Sequence, residues 1–462
     1  MRIMETLRRR RFLQSGLAAA CSLGPADAGR KPPNFVILFA DDLGYGDLGC
    51  YGHPTIRTPH LDRMAEEGTR FTSFYAAAPV CTPSRVGLLT GRYPIRAGQP
   101  GNTGPETVGG LPLGEILLPQ VLKARDYRTM AIGKWHLGFQ PEPYLPTRRG
   151  FDNWFGLPYS NDMIPPWVKT DRPLRLYRGA AAVETVSDQS HLTPLFTGEA
   201  VRFLKQAAGQ PFFLYLAYSM PHLPVSAPAE RRGRSRAGLY GDVIETLDWS
   251  AGEILRTLRE QGLDGDTMVV FASDNGPWHH LPPRMLAGGV EPWHTGSKGL
   301  LRGAKGSTYE GGVRVPGIVR WPGVARPGQV CMDIASTLDL FPTIARAAGA
   351  ALPEGRAYDG SDLMPLLRGE AAGPRSPFYY CLGDTLEAVR EGPWKYRFAR
   401  ARAEQGPKAQ APEPELFHLD WDPAEQYNLY SRHRDTAARL AGRLKTFAAE
   451  IGAQLAPGLA SN

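Results

Sequence analysis

Asp41 and Asp42, Lys134 and His136, His222, and Asp274 and Asn275 share one feature: each group follows a run of apolar residues. The runs read "NFVILFADD", "RTMAIGKWH", "PFFLYLAYSMPH" and "TMVVFASDN". Asp41, Asp42, Asp274 and Asn275 offer oxygen donors, and no Cys or His partner stands beside them at zinc-like spacing. That donor set predicts a site for a hard divalent cation, Ca²⁺ or Mg²⁺. Three carboxylates at one point repel one another, and a cation relieves the conflict.

The elements that carry these residues follow from the pattern between them. A continuous apolar run such as 35–40 is what a strand buried on both faces requires. Helical patterns lie between the runs, notably over 240–260, where Val243, Leu247, Ile254 and Leu258 share one face. The alternation predicts an α/β fold with a large, mostly parallel sheet covered by helices on both faces. In such sheets the ligand site lies beyond the carboxyl ends of the strands, so the polar residues should converge. Taken singly, an Asp after a strand often caps a helix and a lone His is usually packed or on the surface. Recurrence at four strand ends is what points to a site.

A separate stretch, "VCTPSRVGLLTGR", places Cys81 just before a predicted helix. Thr82 is suited to the N-cap and Pro83 to the first helical position, while Val86 and Leu89 follow at helical spacing and Gly91 closes the segment. Cys81 is then expected just outside a helix N-terminus, where free N–H groups and the helix dipole favour anions.

The chain has 462 residues, 42% of them hydrophobic and 21% charged, enough for a large core. Its first residues combine Arg8–Arg11, a short apolar run near 17–23 and the small-residue pattern Ala26-Asp27-Ala28. This reads as a signal peptide over 1–28, with no transmembrane segment, because the apolar run is too short to span a bilayer. "RRRFLQ" is similar to a twin-arginine export signal, which makes that machinery an expected partner and a periplasmic or secreted location the expectation. An ordinary secretory signal and a lipid anchor at Cys21 are the competing readings. Residues 1–28 hold five basic and two acidic side chains, so the formal charge of +7 falls to +4 without them. That excess suits an anionic substrate and is too mild for nucleic acid. The remaining cysteines, Cys50, Cys81, Cys331 and Cys381, form no disulfide framework.

"CTPSRVGLLTGR" resembles the signature of the type I sulfatases, C-x-P-S-R followed by L-L-T-G-R, and "GKWHLG", "SDNG" and "GSTYEGGVRVPGIVRWPG" resemble the family's other landmarks in the same order. The likeness runs from about residue 34 to 429 and is strongest to the arylsulfatase A type. It implies an alkaline-phosphatase-like catalytic domain over 29–370 and a smaller C-terminal domain over 371–462, an antiparallel sheet with a helix from about residue 435. It also implies that a formylglycine-generating enzyme oxidises Cys81 to formylglycine, an aldehyde that hydrates to a geminal diol. One diol hydroxyl, polarised by the cation, would attack the sulfur of a sulfate monoester and expel the alcohol. The second, losing its proton, would collapse to the aldehyde and eject sulfate.

Carried over position by position, the resemblance makes Asp41, Asp42, Asp274 and Asn275 metal ligands alongside residue 81. Arg85 would hold the modified side chain and the ligand carboxylates, with Lys134 as its cationic partner. His136 would be the base for the second hydroxyl, and His222 and Lys305 would bind sulfate and assist the leaving oxygen. Ser160 in "LPYSND" would hydrogen-bond the sulfate. Lys298 competes with Lys305, although "TYEGG" follows the latter. Two other readings stay open: a phosphonate or phosphate ester hydrolase of the same superfamily, and an inactive anion- or glycan-binding homologue with Cys81 unmodified. Aryl, sugar and lipid sulfates present one anion, so specificity is expected from loops 161–186 and 224–241. The run Arg231, Arg232, Arg234, Arg236 is either a grip for a polyanionic glycan or a solvated loop.

Overall fold

The run at 34–40 is apolar throughout because both faces of its strand are covered. Val36, Leu38 and Ala40 enter one core, and Phe35, Ile37 and Phe39 enter another on the opposite face. Asn34–Ala40 is a central strand of a ten-stranded sheet in a computed structural model that describes residues 31–207, 209–370, 377–398 and 413–456. Across the sheet the order is Gln329–Cys331, Thr69–Phe71, Gly317–Arg320, Thr267–Ser273, Asn34–Ala40, Phe212–Ala217, Arg128–Lys134, Asn153–Leu157, Arg175–Arg178 and Ala181–Thr185. The five strands from Thr267–Ser273 to Asn153–Leu157 run parallel. Antiparallel strands flank them on both sides.

Helices Leu192–Gln206 and Gly238–Glu260 cover one face, where Phe196, Phe203, Val243, Leu247, Ile254 and Leu258 are buried. On the other face lie Cys81–Thr90 and Leu340–Ala347, contributing Val86, Leu88, Leu89, Phe341 and Ile344. From Pro32 onward the chain is one compact unit. The expected export signal over 1–28, with its arginines and Cys21, lies outside the described residues. Among the described residues, no helix is long and apolar enough to cross a membrane.

The C-terminal part is a five-stranded sheet. Phe378–Leu382, Thr385–Glu391, Trp394–Arg397 and Glu415–His418 pair antiparallel in sequence order, and Gln454–Leu455 adds to Thr385–Glu391 in parallel. The helix Arg434–Ile451 packs on it through Leu440, Leu444 and Phe447.

The helix that carries Cys81 begins two residues earlier than the cap pattern predicts. Cys81 is its first residue, and Val80, with extended φ −147° and ψ 154°, precedes it as N-cap. The hydroxyl of Thr82 donates instead to the carbonyl of His136 at 2.8 Å. A tertiary contact has taken the side chain that would otherwise cap the helix. Pro83 remains compatible because N–H groups in the first turn have no partner within the helix. Gly91 closes the helix at φ 67°, as the sequence suggests.

Candidate active site

The carboxyl ends of the parallel strands bring their polar residues together. Asp41, Asp42, Cys81, Arg85, Lys134, His136, Ser160, His222, Asp274 and Asn275 are all buried. Asp42 and His136 hold φ 62° and 59°, left-handed values that non-glycine residues adopt at a cost. Both follow directly on the strand ends, where the chain must turn sharply to aim their side chains inward. At Gly276, after Asn275, an added Cβ would lie 1.8 Å from the Gly311 carbonyl oxygen. Only glycine lets the Asp274–Asn275 turn lie against the segment that carries Lys305.

Around Cys81 the contacts are dense. Its sulfur lies 3.5 Å from Asp41 Oδ1 and 3.5 Å from the Lys305 ammonium. Lys305 is also 2.8 Å from Asp42 Oδ1, and His222 Nε2 is 3.5 Å from Asp42 Oδ2. Arg85 reaches Asp274 at 2.8 Å and Asp41 at 3.3 Å. Lys134 pairs with Asp41 and donates to Ser160 Oγ at 3.1 Å. The amide nitrogen of Asn275 donates to Asp42 Oδ1 at 2.7 Å. Lys298 is partly exposed and has no contact of this kind, so the geometry favours Lys305 over it. Of the four arginines near residue 234, Arg231 stacks 4.4 Å over the Trp249 ring and Arg232 donates to the Ala227 carbonyl at 2.8 Å, so two are occupied locally.

Three carboxylates, Asp41, Asp42 and Asp274, therefore meet three cations, Arg85, Lys134 and Lys305. Repulsion among the carboxylates does not by itself demand a metal, because the protein supplies balancing charge that the sequence pattern did not count. The case for a cation is the donor set. Asp41, Asp42, Cys81 and His222 offer ligand atoms within 4.8 Å of one another. Asn275 Oδ1 is buried with no hydrogen-bond partner, a carboxamide oxygen left free beside carboxylate oxygens. Asp274 points the same way: burial, and then the neighbouring Asp41, push its carboxyl above the usual range. At Asp41 burial acts upward too, but Lys134, His222 and Arg85 outweigh it and hold that carboxyl low. The residues fit a hard divalent cation.

The two histidines have defined tautomers. His136 Nε2 lies 2.7 Å from the Thr103 carbonyl, which can only accept, so Nε2 carries the hydrogen and Nδ1 keeps its lone pair. That Nδ1 is buried without a partner. Burial, with Lys134 and Arg85 adding to it, pulls the His136 pKa well below its ordinary value, so the ring is neutral at pH 7. In His222 the roles reverse: Nδ1 donates to the Leu223 carbonyl at 2.6 Å and Nε2 faces Asp42. Cys81 is a poor thiolate, since burial and then Asp41 push its thiol up. Thr103, which fixes the His136 tautomer, has no signal in the sequence, because its carbonyl acts and any residue has one.

Lys305 is positioned from the C-terminal sheet. Lys395, wholly buried, donates to the Thr308 carbonyl at 2.8 Å and pairs with Glu310 at 2.9 Å and Glu425 at 2.7 Å. Glu425 in turn accepts from the Glu310 backbone N–H at 2.7 Å. Lys395→Met should therefore cost about 3–5 kcal/mol, because it leaves the buried Glu425 without its cation and Glu310 with only Arg314 at 3.4 Å and Arg390 at 4.0 Å. Denaturant melts of the variant and the parent measure this, and a loss below about 1 kcal/mol would show that the remaining partners suffice.

Comparison with known proteins bears on what this site does. The family model for sulfatases matches residues 33–350, and the model for the C-terminal part of N-sulphoglucosamine sulphohydrolase matches 304–450. Arylsulfatase A of Homo sapiens is 41% identical over 451 residues, covering 89% of this chain and 85% of that protein. N-acetylgalactosamine-6-sulfatase of Canis lupus familiaris is 41% identical over 398 residues, covering 82% and 74%. Among solved structures, the PsFucS1 sulfatase from Pseudoalteromonas sp. superposes with a TM-score of 0.78 at 30% identity, covering 91% of this chain and 90% of that one. The chain belongs to the sulfatase family, the hydrolases of sulfuric esters.

Proposed function

We propose that this chain cleaves sulfate monoesters of phenols or sugars at a formylglycine formed from Cys81, with a divalent cation, Ca²⁺ in preference to Mg²⁺, held by Asp41, Asp42, Asp274, Asn275 and residue 81. The observation that carries the reading is the convergence of Cys81, an unpartnered Asn275 oxygen and paired carboxylates at one buried point. Ca²⁺ is favoured because it tolerates irregular, carboxylate-rich coordination. When present, the cation and the hydrated aldehyde would supply an activated hydroxyl nucleophile and a second hydroxyl whose deprotonation releases sulfate.

The chain's own residues do the rest. Arg85 and Lys134 hold Asp41 and Asp274 in place, and Lys134 orients the Ser160 hydroxyl toward a sulfate oxygen. With Asp42 neutralised by a cation, the Lys305 ammonium becomes available to the anion. His222 gives the departing oxygen a proton from Nε2 when both its ring nitrogens carry one, as the facing Asp42 carboxylate favours, and His136 Nδ1 accepts the proton whose loss frees sulfate. Such preorganised groups are each typically worth about 10²–10³ in rate. Cys81 is only 1% exposed, which supports conversion by a formylglycine-generating enzyme before the fold closes over it. The arginine-rich start supports export to the periplasm or medium, by the twin-arginine route if the protein folds first.

Matched aryl sulfate and aryl phosphonate esters test the reaction. Sulfate should be turned over faster, from protein recovered in the periplasmic or extracellular fraction. Preference for the phosphonate would favour the related ester hydrolases, and a residue-81 peptide with the mass of intact cysteine would favour a binding protein.

A further inference from the structure

Trp278 lies just beyond the Asp274–Asn275 turn and is partly exposed. Its ring centre is 5.6 Å from that of His222, tilted by 51°, and 4.7 Å from the Lys305 ammonium. The Arg284 guanidinium stands 6.0 Å from the same ring. It packs against the hydrophobic core on the face of the sheet covered by Gly238–Glu260. His222 and Lys305 both face Asp42. In the proposed reaction these two serve the ester oxygen that departs, so the side chain touching both borders the space of the leaving alcohol.

We propose that Trp278 is the surface against which the ring of the leaving alcohol packs, so that the chain selects aryl and pyranosyl sulfates over acyclic ones. The inference rests on the sulfatase reading of the site. An indole offers a broad, rigid apolar face at little conformational cost. A phenyl ring and the apolar face of a pyranose match it as preformed flat surfaces. An acyclic alcohol has to give up rotamer freedom to make the same contact. Nothing in the sulfate-handling set provides that contact, because those side chains are charged or small and polar.

Wild-type protein and Trp278→Ala, Trp278→Leu and Trp278→Phe variants separate this role from a purely supporting one. The readouts are KM for 4-nitrophenyl sulfate and inhibition constants for galactose 6-sulfate, ethyl sulfate and inorganic sulfate. Trp278→Ala and Trp278→Leu should raise the 4-nitrophenyl sulfate KM and the galactose 6-sulfate constant about tenfold. Ethyl sulfate and inorganic sulfate should change less than about twofold, and Trp278→Phe should recover most of the loss. A response by only one ring compound supports the platform and assigns it to that class. An equal rise for inorganic sulfate would show that the indole merely positions Lys305, and unchanged values for both ring compounds would remove any contact; either result overturns the inference. Wild-type protein with formylglycine at residue 81 that is inert toward both 4-nitrophenyl sulfate and galactose 6-sulfate would instead overturn the reading on which it rests.

Discussion

Cys81→Ser should release no more than one equivalent of alcohol per protein and then stop, with sulfate retained on residue 81. The serine side chain offers a single hydroxyl at the first position of the helix, within reach of Asp41 and Lys305 as the cysteine sulfur is at 3.5 Å from each. That hydroxyl can attack sulfur, breaking the bond to the alcohol oxygen and forming a serine sulfate ester. Release of sulfate by collapse needs a second hydroxyl on the same carbon, and serine has none. The ester should therefore persist, and intact-mass measurement after exposure to an aryl sulfate should show the added group. His136→Ala in the converted protein should slow the same release step, because the Nδ1 lone pair that takes the proton is gone. Repeated turnover by Cys81→Ser at a rate near that of the parent would show that water cleaves the ester directly and that the second hydroxyl is dispensable.

Withdrawal of the metal should abolish turnover and lower thermal stability together. Without a cation, the Asn275 oxygen has no partner and Lys305 is committed to Asp42. The three cations and three carboxylates then cancel, which leaves no net positive charge for a sulfate. A divalent ion restores a surplus of two charges. Binding to the folded state alone stabilises it by about 2.7 kcal/mol at a concentration 100 times Kd, so melting should rise with added Ca²⁺. Chelated protein should regain both activity and melting temperature with Ca²⁺, and less completely with Mg²⁺, whose octahedral demand suits this irregular set poorly. Full activity after exhaustive chelation, with no metal found by elemental analysis, would remove the cation from the site.

These expectations drew on residues legible before any fold was known. The strand ends were readable because a strand buried on both faces is apolar to its last residue, so a charged residue at its end stands out. The start of the helix lies two residues before the one the cap pattern suggests, since Thr82 has the chemistry of a cap but spends its hydroxyl on His136. The charge balance was also misjudged. Lysines and an arginine separated by up to 220 positions, Arg85 to Lys305, meet carboxylates they do not adjoin in sequence.

The sequence by itself determined the fold class, the donor types of the site and the family, because apolar periodicity and short motifs are local properties of the chain. Tertiary structure alone decided which lysine reaches the cysteine, which nitrogen of each histidine is free, and that Lys395 of the C-terminal sheet anchors the segment carrying Lys305. Trp278 belongs with these, since nothing around it in sequence marks it as the neighbour of His222 and Lys305. Such facts depend on distances and burial between segments far apart in the chain. Hydrogen-bond partners and desolvation are set only once those segments have packed.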